Sequence, residues 1–573
     1  MTHSVSNSSV PSVVVASVDQ MRAAIRRKGQ LKGRQADELS LQDVRALIGE
    51  APHRRDLLIE HLHTLNDAYR CLHDRHLVAL ANEMKLPMAE VFEVATFYHH
   101  FEVVRGDEAA PGLTVRVCEG LSCELAGAKQ LLDKLPTLLG NDDVRVISAP
   151  CVGRCEQAPV AVVHQNPVPH ATPELVAAAV SAKQTHQTMT AHVDFDAYVA
   201  DGGYRLLADL HTGKADAEQV LKGMEDSGLR GLGGAGFPAG RKWRIVREQP
   251  APRLMAVNID EGEPGTFKDR TYLERDPHRF LEGMLVAAHV VDIDGIYIYL
   301  RDEYHGCRAL LTQALAHLQA NPPCLLPHIE LRRGAGAYIC GEESAMIESI
   351  EGKRGEPRMR PPYIAQVGLF GKPTLEHNFE TLYWVRDIVQ KGPQWFTSYG
   401  ANGRVGLRSF SVSGRVKQPG VKLAPAGITV QALIDEYCGG MLDGHTLYAY
   451  LPGGASGGIL PARLNNVPLD FDTLQEHGCF IGSAAVVVLS QHDTARDAAL
   501  NAMQFFAHES CGQCTPCRVG TAKAVKLMQA PQWDNTTLED LNQVMIDASI
   551  CGLGQAAPNP VRCVQTYFSH EVA

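Results

Sequence analysis

The sequence predicts an α/β multidomain protein with cysteine-bearing segments on both sides of its α/β core. The chain has 573 residues, a length that suggests about three or four domains. Strand-like apolar runs alternate with helical stretches over residues 195–400, which is typical of an α/β sheet. Closely spaced cysteines stand before that region and after it. The α/β region is therefore expected to join two metal-binding domains.

Composition limits the class of protein. The chain is 45% hydrophobic and 21% charged, as in an ordinary globular protein. No apolar run approaches the ~18 residues of a membrane span. The net charge of -11 without a long basic run argues against nucleic acid as a partner. Fifteen cysteines without a secretory signal indicate a reducing, cytoplasmic location, where close cysteines hold metal more often than they form disulfides.

Residues 1–39 are predicted to be a disordered or partner-binding tail. Residues 1–35 are rich in Ser and then in Arg and Lys, a composition that also resembles a mitochondrial transit peptide. Order is expected from Leu41, where apolar residues at helical spacing through Leu72, followed by a helix from Pro87 to Phe97, predict a helical hairpin. Six histidines in this region form no metal-binding motif and are predicted to be structural or solvated: His61, His63, His73, His76, His99 and His100.

Two predicted strands each lead into a cysteine pair. Residues 113–117 precede Cys118 and Cys123, and residues 144–147 precede Cys151 and Cys155. A helical segment between the strands would bring all four thiolates to one end of a small sheet. Soft thiolates suit iron-sulfur clusters or zinc, and the spacing alone leaves a four-cysteine zinc site open.

A glycine-rich block over residues 230–242 is the centre of the α/β region. Gly231, Gly233 and Gly234 belong to five glycines within ten residues, which leave main-chain N–H groups open to a flat or phosphorylated ligand. The block matches G-x-G-x-x-G, but a helical pattern over 217–228 precedes it and Phe-Pro follows it, where a dinucleotide loop needs a strand and a helix. A Rossmann loop and a structural glycine turn remain alternatives.

Two further blocks place carboxylates beside glycines. Residues 258–269 contain Asp260, Glu261 and Glu263, and residues 334–344 contain Glu342 and Glu343. These carboxylates would repel a pyrophosphate, so we expect them to accept hydrogen bonds from ribose hydroxyls, a nicotinamide amide or a flavin ring N–H. The phosphates would then meet a cation, for which the candidates are Lys242, Lys268 and Arg360. The blocks together predict one composite nucleotide site.

The C-terminal cysteines form the strongest single motif. Cys511, Cys514 and Cys517 are separated by two C-x2-C steps, and Cys551 follows later. This three-plus-one pattern resembles that of ferredoxins, whereas zinc usually takes two separated pairs; zinc or a purely structural role stays the alternative. Helical patterns around these cysteines predict a small bundle over residues 495–573, and residues 404–490 predict a small β domain without chemistry of its own.

These blocks resemble the NADH-oxidising flavoprotein of respiratory complex I and the diaphorase subunits of NAD-linked formate dehydrogenases and hydrogenases. The segments GLRGLGGAGFPAGRKW, SVSGRVKQPGVKLAPAG, LPGGASGGILP and ASICGLGQAA look most like the beta subunit of a metal-dependent NAD formate dehydrogenase with a fused ferredoxin-like subunit. The resemblance implies a thioredoxin-like [2Fe-2S] domain (40–180), an FMN/NAD-binding domain (195–400), a ubiquitin-like β-grasp domain (404–490) and a helical [4Fe-4S] domain (495–573).

The resemblance also implies the site residues. FMN would lie on the 231–242 loop, along Asn258, Asp260 and Glu261, with its phosphate at Asn378 and Thr381. Phe237 and Tyr363 would sandwich the adenine of NAD(H), and Glu263 and Glu343 would bind the nicotinamide ribose and amide. The other implied contacts are Gly231, Gly233, Gly234, Lys242, Tyr338, Gly341, Glu342 and Arg360. The [2Fe-2S] ligands would be Cys118, Cys123, Cys151 and Cys155, and the [4Fe-4S] ligands Cys511, Cys514, Cys517 and Cys551.

The chain departs from the family pattern at a few of these positions. His377 stands where the family usually has asparagine, Leu232 where complex I flavoproteins often have arginine, and Arg360 where they often have lysine. Arg360 keeps the charge but offers a planar fork, so its contacts need not be equivalent. His377 is therefore in doubt as a hydrogen-bond donor to the flavin phosphate.

The expected function is electron transfer between NAD(H) and a partner's metal centre. A flavin is needed between a two-electron hydride carrier and one-electron clusters, and no general acid or base is required. The implied partner is a large alpha subunit with a molybdenum or tungsten pterin centre and iron-sulfur clusters, because this chain has no evident site for such a centre. The alternatives are a hydrogenase diaphorase, a fused complex I module and, from another class, a zinc-stabilised nucleotide-binding scaffold without redox activity.

Overall fold

The computed structural model describes residues 33–106, 108–140 and 143–573. The predicted tail over residues 1–39 and its targeting alternative fall mostly outside these ranges. Order begins earlier than the sequence indicates, because Arg34 Nη1 lies 2.6 Å from Asp74 Oδ2 and a helix begins at Glu38. No helix in the described ranges is long and apolar enough to cross a membrane.

Within the described ranges, four helices precede the first domain's sheet, so the prediction of a helical hairpin is wrong. The helix predicted to run through Leu72 ends at Tyr69, because Arg70 takes a left-handed conformation (φ 62°). The next residues, Leu72–His73, pair in parallel with Val103–Val104. The four helices are Glu38–Ile48, Leu58–Tyr69, Asp74–Met84 and Met88–Phe97.

The first cysteine-bearing domain is a four-stranded sheet with helices packed on it. In spatial order its strands are Val144–Ala149, Leu113–Cys118, Ala161–Val163 and Asn166–Val168. The first two run in parallel and the others are antiparallel. The helices are Leu121–Leu125, Ala128–Leu139 and Pro173–Ser181. Both parallel strands end beside a cysteine pair, as the sequence predicts.

The central domain contains a parallel sheet covered by helices. Its strands, in spatial order, are Thr374–Asn378, Leu254–Ile259, Gly295–Leu300 and His328–Arg333. All six residues of Gly295–Leu300 are buried, as expected for a strand with both faces covered. The helices are Phe195–Ala200, Arg205–His211, Ala217–Asp226, Ala239–Arg247, Lys268–Arg275, Pro277–Val291, His305–Ala320, Glu343–Ile350, Phe379–Tyr383, Val385–Lys391 and Pro393–Thr397.

A five-stranded β domain and a helical bundle complete the chain. The strands, in spatial order, are Gly420–Pro425, Leu407–Gly414, Ala485–Ser490, Leu447–Leu451 and Leu460–Pro461, with a short helix at Val430–Ala432. The bundle helices are Ala495–Glu509, Thr515–Met528, Asn535–Ala548, Gly552–Ala556 and Asn559–Tyr567. One continuous apolar core joins the N-terminal helices, the β domain and the bundle and includes the C-terminal cysteine set, whereas the N-terminal cysteines belong to two smaller clusters.

Candidate functional site

A cavity of about 270 Å³ lies at the carboxyl ends of the parallel strands, beside the glycine-rich block. Open α/β sheets bind ligands at this edge. Eleven of the predicted residues line it: Gly233, Gly234, Asn258, Asp260, Glu261, Glu263, Lys268, Tyr338, Gly341, Glu342 and Asn378. The three separate sequence blocks therefore do form one composite site.

The glycine-rich block is a turn rather than a strand-to-helix dinucleotide loop. The helix Ala217–Asp226 precedes it, as expected, but a helix also follows it from Ala239, although the sequence argued against one there. Gly231 N–H donates to the Phe237 carbonyl (2.8 Å), and Leu232 N–H donates to Thr381 Oγ1 (2.9 Å). Gly231 and Thr381 thus shape the loop and do not line the cavity.

The predicted cations outside the cavity are already paired with carboxylates. Lys242 Nζ lies 3.0 Å from Glu376 Oε2, and Arg360 contacts Glu342 at 2.9 Å and Glu343 at 2.8 Å. Phe237 and Tyr363 are exposed by 38% and 56%. The structure leaves Lys242, Arg360, Glu343 and both aromatic residues outside the cavity wall, so their contacts with FMN or NAD(H) stay predictions.

Asp260 offers an unpaired acceptor to the cavity. Its Oδ2 is buried and has no hydrogen-bond partner within the described part of the chain. Burial raises the pKa of Asp260 well above its ordinary value, outweighing the opposing effect of Arg301. A buried polar atom without a partner is costly, and a ligand N–H or O–H in the cavity would satisfy it.

Glu261, by contrast, has its partners within the protein. Its carboxylate accepts the main-chain N–H groups of Asp269 (2.8 Å) and Arg270 (3.1 Å) and the hydroxyl of Tyr304 (2.8 Å). These N–H groups lie in the first turn of Lys268–Arg275, so Glu261 caps that helix. Burial, reinforced by the charge of Asp269, raises the pKa of Glu261 to about 7.

Glu263 connects the central domain with the β domain. Ser456 donates its main-chain N–H and its hydroxyl to Glu263 Oε1, both at 2.7 Å, and the Tyr338 hydroxyl donates to Oε2. Gly454 makes this approach possible, because a Cβ there would lie 2.6 Å from Glu263 Cγ and its φ is 80°. Burial raises the pKa of Glu263, although these hydrogen bonds oppose the shift.

The sequence missed the far wall of the cavity. Ser456, Phe480 and Ser483 of the β domain line it, and so do residues of the helix Gly552–Ala556, which directly follows Cys551. The β domain, for which the sequence predicted no chemistry of its own, therefore supplies part of the wall. The segment 453–458 contains a short 3-10 helix at Ala455–Gly457, and its contact with Glu263 depends on packing between domains and leaves no local sequence signal.

A buried charge network supports the strand end beside the cavity. Lys268 Nζ lies 2.7 Å from Asp269 Oδ1 and 3.0 Å from Glu380 Oε2, and Asn378 Nδ2 donates to Asp269 Oδ2 at 2.6 Å. Burial disfavours the charged form of Lys268, but the carboxylates of Asp269 and Glu380 outweigh this effect and raise the pKa of Lys268. Lys268 is thus a buried cation in the cavity wall whose charge is balanced within the protein by Asp269 and Glu380.

His377 faces away from the cavity. Trp243 Nε1–H donates to His377 Nε2 at 2.7 Å inside the protein core. Burial, with the nearby charge of Lys242, lowers the pKa of His377 well below its ordinary value. A neutral imidazole bound to Trp243 explains why His377 does not replace the usual asparagine as a ligand donor.

The four N-terminal cysteines converge as predicted. Cys151 Sγ lies 3.4 Å from Cys155 Sγ, and the thiol of Cys118 contacts those of Cys123 and Cys151. All four side chains are buried. The central domain holds this loop, because Arg301 Nη2 donates to the Cys151 carbonyl (2.8 Å) and Arg270 Nε to the Gly153 carbonyl (2.9 Å).

The C-terminal cysteines also meet in space. Cys511, Cys514, Cys517 and Cys551 line one small cavity together with Ile339 and Leu553. Leu553 lines the flavin cavity as well, so the two sites share a wall. Burial raises the pKa of Cys517 to about 11 and that of Cys551 to about 12, so thiolates here need a bound cation. Both cysteine sets supply the soft donors that iron-sulfur clusters require.

Comparisons with known proteins agree with this geometry. Four family models match in order: thioredoxin-like [2Fe-2S] ferredoxin at residues 44–184, Nuo51 FMN-binding domain at 224–387, SLBB domain at 409–460 and NADH-ubiquinone oxidoreductase-F iron-sulfur binding region at 497–573. An NADH-quinone oxidoreductase subunit of Rhizobium meliloti is 39% identical over 389 residues, which are 65% of this chain and 92% of that one. The chain belongs to the complex I 51 kDa flavoprotein family. The corresponding protein of Aquifex aeolicus is 38% identical over 66% of this chain and 90% of its own.

Solved structures extend the similarity to the fused arrangement. An NAD+-reducing [NiFe]-hydrogenase chain in the H2-reduced state superposes with a TM-score of 0.79 and 32% identity, over 91% of this chain and 92% of the other. The predicted α/β multidomain fold is confirmed, and so are the FMN, [2Fe-2S] and [4Fe-4S] assignments with NADH as the substrate. The alternative of a zinc-stabilised scaffold without redox activity finds no support in these matches.

Proposed function

We propose that this chain is the diaphorase subunit of an NAD-dependent formate dehydrogenase, passing electrons between NAD(H) and a metal centre on a partner. The observation that supports the electron-transfer role most strongly is the shared wall of the flavin cavity. The helix after Cys551 closes the cavity on one side and carries Leu553 into both sites. Electrons that reach the flavin thus have a short route to the tetranuclear cluster and, from there, to a partner.

The residues of the cavity would hold the flavin through polar and apolar contacts. FMN, when bound, exchanges an electron pair with NAD(H) and single electrons with the clusters. Asp260 Oδ2 supplies an acceptor, Lys268 a cation and Gly233 and Gly234 the open main chain on which a flat ring can rest. Phe480 and Leu553 provide the apolar part of the wall.

Glu263 is proposed to bind the nicotinamide ribose. Its carboxylate lines the cavity and is fixed by Ser456 and Tyr338. Glu343 would bind the amide once Arg360, its present partner at 2.8 Å, turns toward the nucleotide phosphates. Phe237 and Tyr363, both exposed, would close on the adenine from the surface. These assignments rest on the family motifs and on the positions of the side chains around the cavity.

The proposed partner is a large alpha subunit with a molybdenum or tungsten pterin centre and iron-sulfur clusters. The resemblance of four segments to formate dehydrogenase beta subunits supports it. A second candidate is the diaphorase of an NAD-reducing hydrogenase, favoured by the structural match over 91% of the chain. A complex I module is the third, favoured by the relatives from Rhizobium meliloti and Aquifex aeolicus. The cytoplasmic location stays part of the proposal.

Metal analysis of the native complex tests the partner. The complex purified through an affinity tag on this chain should contain molybdenum or tungsten and should reduce NAD with formate. Nickel in place of these metals, with H2-dependent NAD reduction, would assign the chain to a hydrogenase. Quinone-linked NADH oxidation without any of the three metals would assign it to complex I.

A further inference from the structure

Two histidines and a glutamate meet near the cysteine sites. His99 follows the helix Met88–Phe97, and His508 and Glu509 lie at the C-terminal end of Ala495–Glu509. One ligand atom of each residue lies within 4.8 Å of the other two. The sequence predicted a structural or solvated role for His99, because its partners are remote in the chain. We propose that His99, His508 and Glu509 form a binding site for a divalent zinc ion.

The separations of the ligand atoms suit zinc. Glu509 Oε1 lies 2.9 Å from His508 Nδ1 and 3.9 Å from His99 Nδ1. Tetrahedral zinc with bonds of about 2.0–2.1 Å places neighbouring ligand atoms ~3.4 Å apart, so each of these two separations needs to change by about half an ångström to match zinc. Two imidazoles with one carboxylate form a ligand set that zinc takes where a fourth position stays open.

The carboxylate is held in place by the surrounding protein. Glu509 Oε2 accepts the main-chain N–H of Tyr338 at 2.9 Å, and the Glu509 side chain is only 4% exposed. A hydrogen bond of this kind fixes a metal ligand in its binding orientation. Oε1 is left to face the two histidines, so the site is partly preorganised before an ion arrives.

The two histidines are partly exposed and border a cavity, so a zinc ion can reach the site from the solvent. The side chains of His99 and His508 are 41% and 48% exposed, and both line a cavity of about 370 Å³. A water molecule could therefore occupy the fourth position. The further carboxylates of Glu303 and Glu119 act on His99 and His508, respectively, and this negative charge favours a cation.

A second group of possible ligands is less suitable. His63, Asp67 and His100 also lie close together, but Arg333 Nη1 binds Asp67 Oδ2 at 2.6 Å and places a positive charge beside the group. No comparable arginine pairs with Glu509 among the described residues. The proposal is therefore confined to His99, His508 and Glu509.

Equilibrium dialysis against Zn²⁺ tests the site. The full-length protein, with FMN and iron bound, should take up one zinc ion per chain. Elemental mass spectrometry of the same sample counts both zinc and iron. His99→Ala and His508→Ala should each weaken zinc binding by about tenfold or more. His317→Ala, which removes an exposed histidine on the helix His305–Ala320, should bind zinc like the parent. Unchanged FMN and iron would show that the variants are folded.

X-ray absorption at the zinc edge gives an independent measurement on the parent protein. It should show two imidazole nitrogens and oxygen ligands, with no sulfur. Sulfur ligands would place the ion at a cysteine set and overturn the proposal. Absence of zinc uptake by the parent, or equal zinc affinity in the parent and both histidine variants, would overturn it as well.

Discussion

Replacing Glu263 by Gln should impair NADH use while FMN stays bound. The carboxylate has three protein donors, namely the Ser456 N–H, the Ser456 hydroxyl and the Tyr338 hydroxyl. The Gln side chain can keep its oxygen toward Ser456, so two of these three bonds survive. The substitution is nearly isosteric and should leave the wall of the cavity in place.

The expected loss follows from the negative charge that Gln removes. A hydrogen bond to a charged group contributes about 1.5–3 kcal/mol, against about 1 kcal/mol for a neutral one. If a ribose hydroxyl donates to Glu263, the difference of ~0.5–2 kcal/mol corresponds to a fall of about 2- to 30-fold in kcat/KM for NADH. The matched variant Glu476→Gln changes an exposed carboxylate and should have no effect.

Steady-state NADH oxidation with ferricyanide measures this loss, and released flavin fluorescence measures FMN content. An increase in KM with full FMN occupancy would agree with a nucleotide contact. Unchanged kcat/KM would show that Glu263 does not bind NADH. Loss of FMN with normal kinetics per bound flavin would instead assign Glu263 to the flavin.

Three other predictions use the cysteine sets and one buried carboxyl group. Cys514→Ala should reduce the iron content from about six to about two atoms per chain. It should also remove the EPR signal of the tetranuclear cluster and leave that of the binuclear cluster. Retention of both signals would contradict the ligand assignment. Cys118→Ala should remove the binuclear signal but spare electron transfer between NADH and the partner, because the C-terminal cysteine set, and not the N-terminal one, shares a wall with the flavin cavity. A complete block would show that the binuclear cluster is obligatory. Burial raises the pKa of Glu60 from 4.5 to about 7 against the opposing charge of Arg332, so the folded state retains a proton that the unfolded state releases. The free energy of unfolding should therefore fall by at most ~3 kcal/mol as the pH rises from 4.5 to 7. Urea unfolding at several pH values measures this dependence, which should be weaker in Glu60→Gln. An equal pH dependence in the parent and the variant would refute the assignment.

Local patterns predicted the elements that carry the ligands. The N-terminal cysteines could be grouped because each close pair follows an apolar strand, although the choice of an iron-sulfur cluster over zinc depended on the family resemblance. The residues after the strand Leu254–Ile259 could be placed because parallel strands have their carboxyl ends at one edge. Helix ends were less predictable. Arg70 ends its helix in a left-handed conformation, and the apolar period continues past it to Leu72 without any glycine to mark the stop.

Contacts between domains could not be predicted. Ser456 binds Glu263 only because the β domain packs against the central sheet, and Gly454 is needed there for a close approach. His99 and His508 meet because the N-terminal helices and the bundle share one core. No pattern of spacing in the sequence signals such pairs, because the packing of whole domains sets the distance between them in space.

Anaerobic addition of NADH to the isolated chain tests the central claim most directly, namely that the cavity lies between NADH and the C-terminal cysteine set. Absorption and EPR spectra would be recorded on the same samples. We expect NADH to bleach the flavin and to produce the EPR signal of a reduced tetranuclear cluster, and we expect Cys514→Ala to keep the bleaching without that signal. The proposed route would be contradicted if NADH bleached the flavin of the parent protein but EPR showed that the tetranuclear cluster stayed oxidised. Reduction of that cluster by dithionite in the same sample would show that the cluster is present.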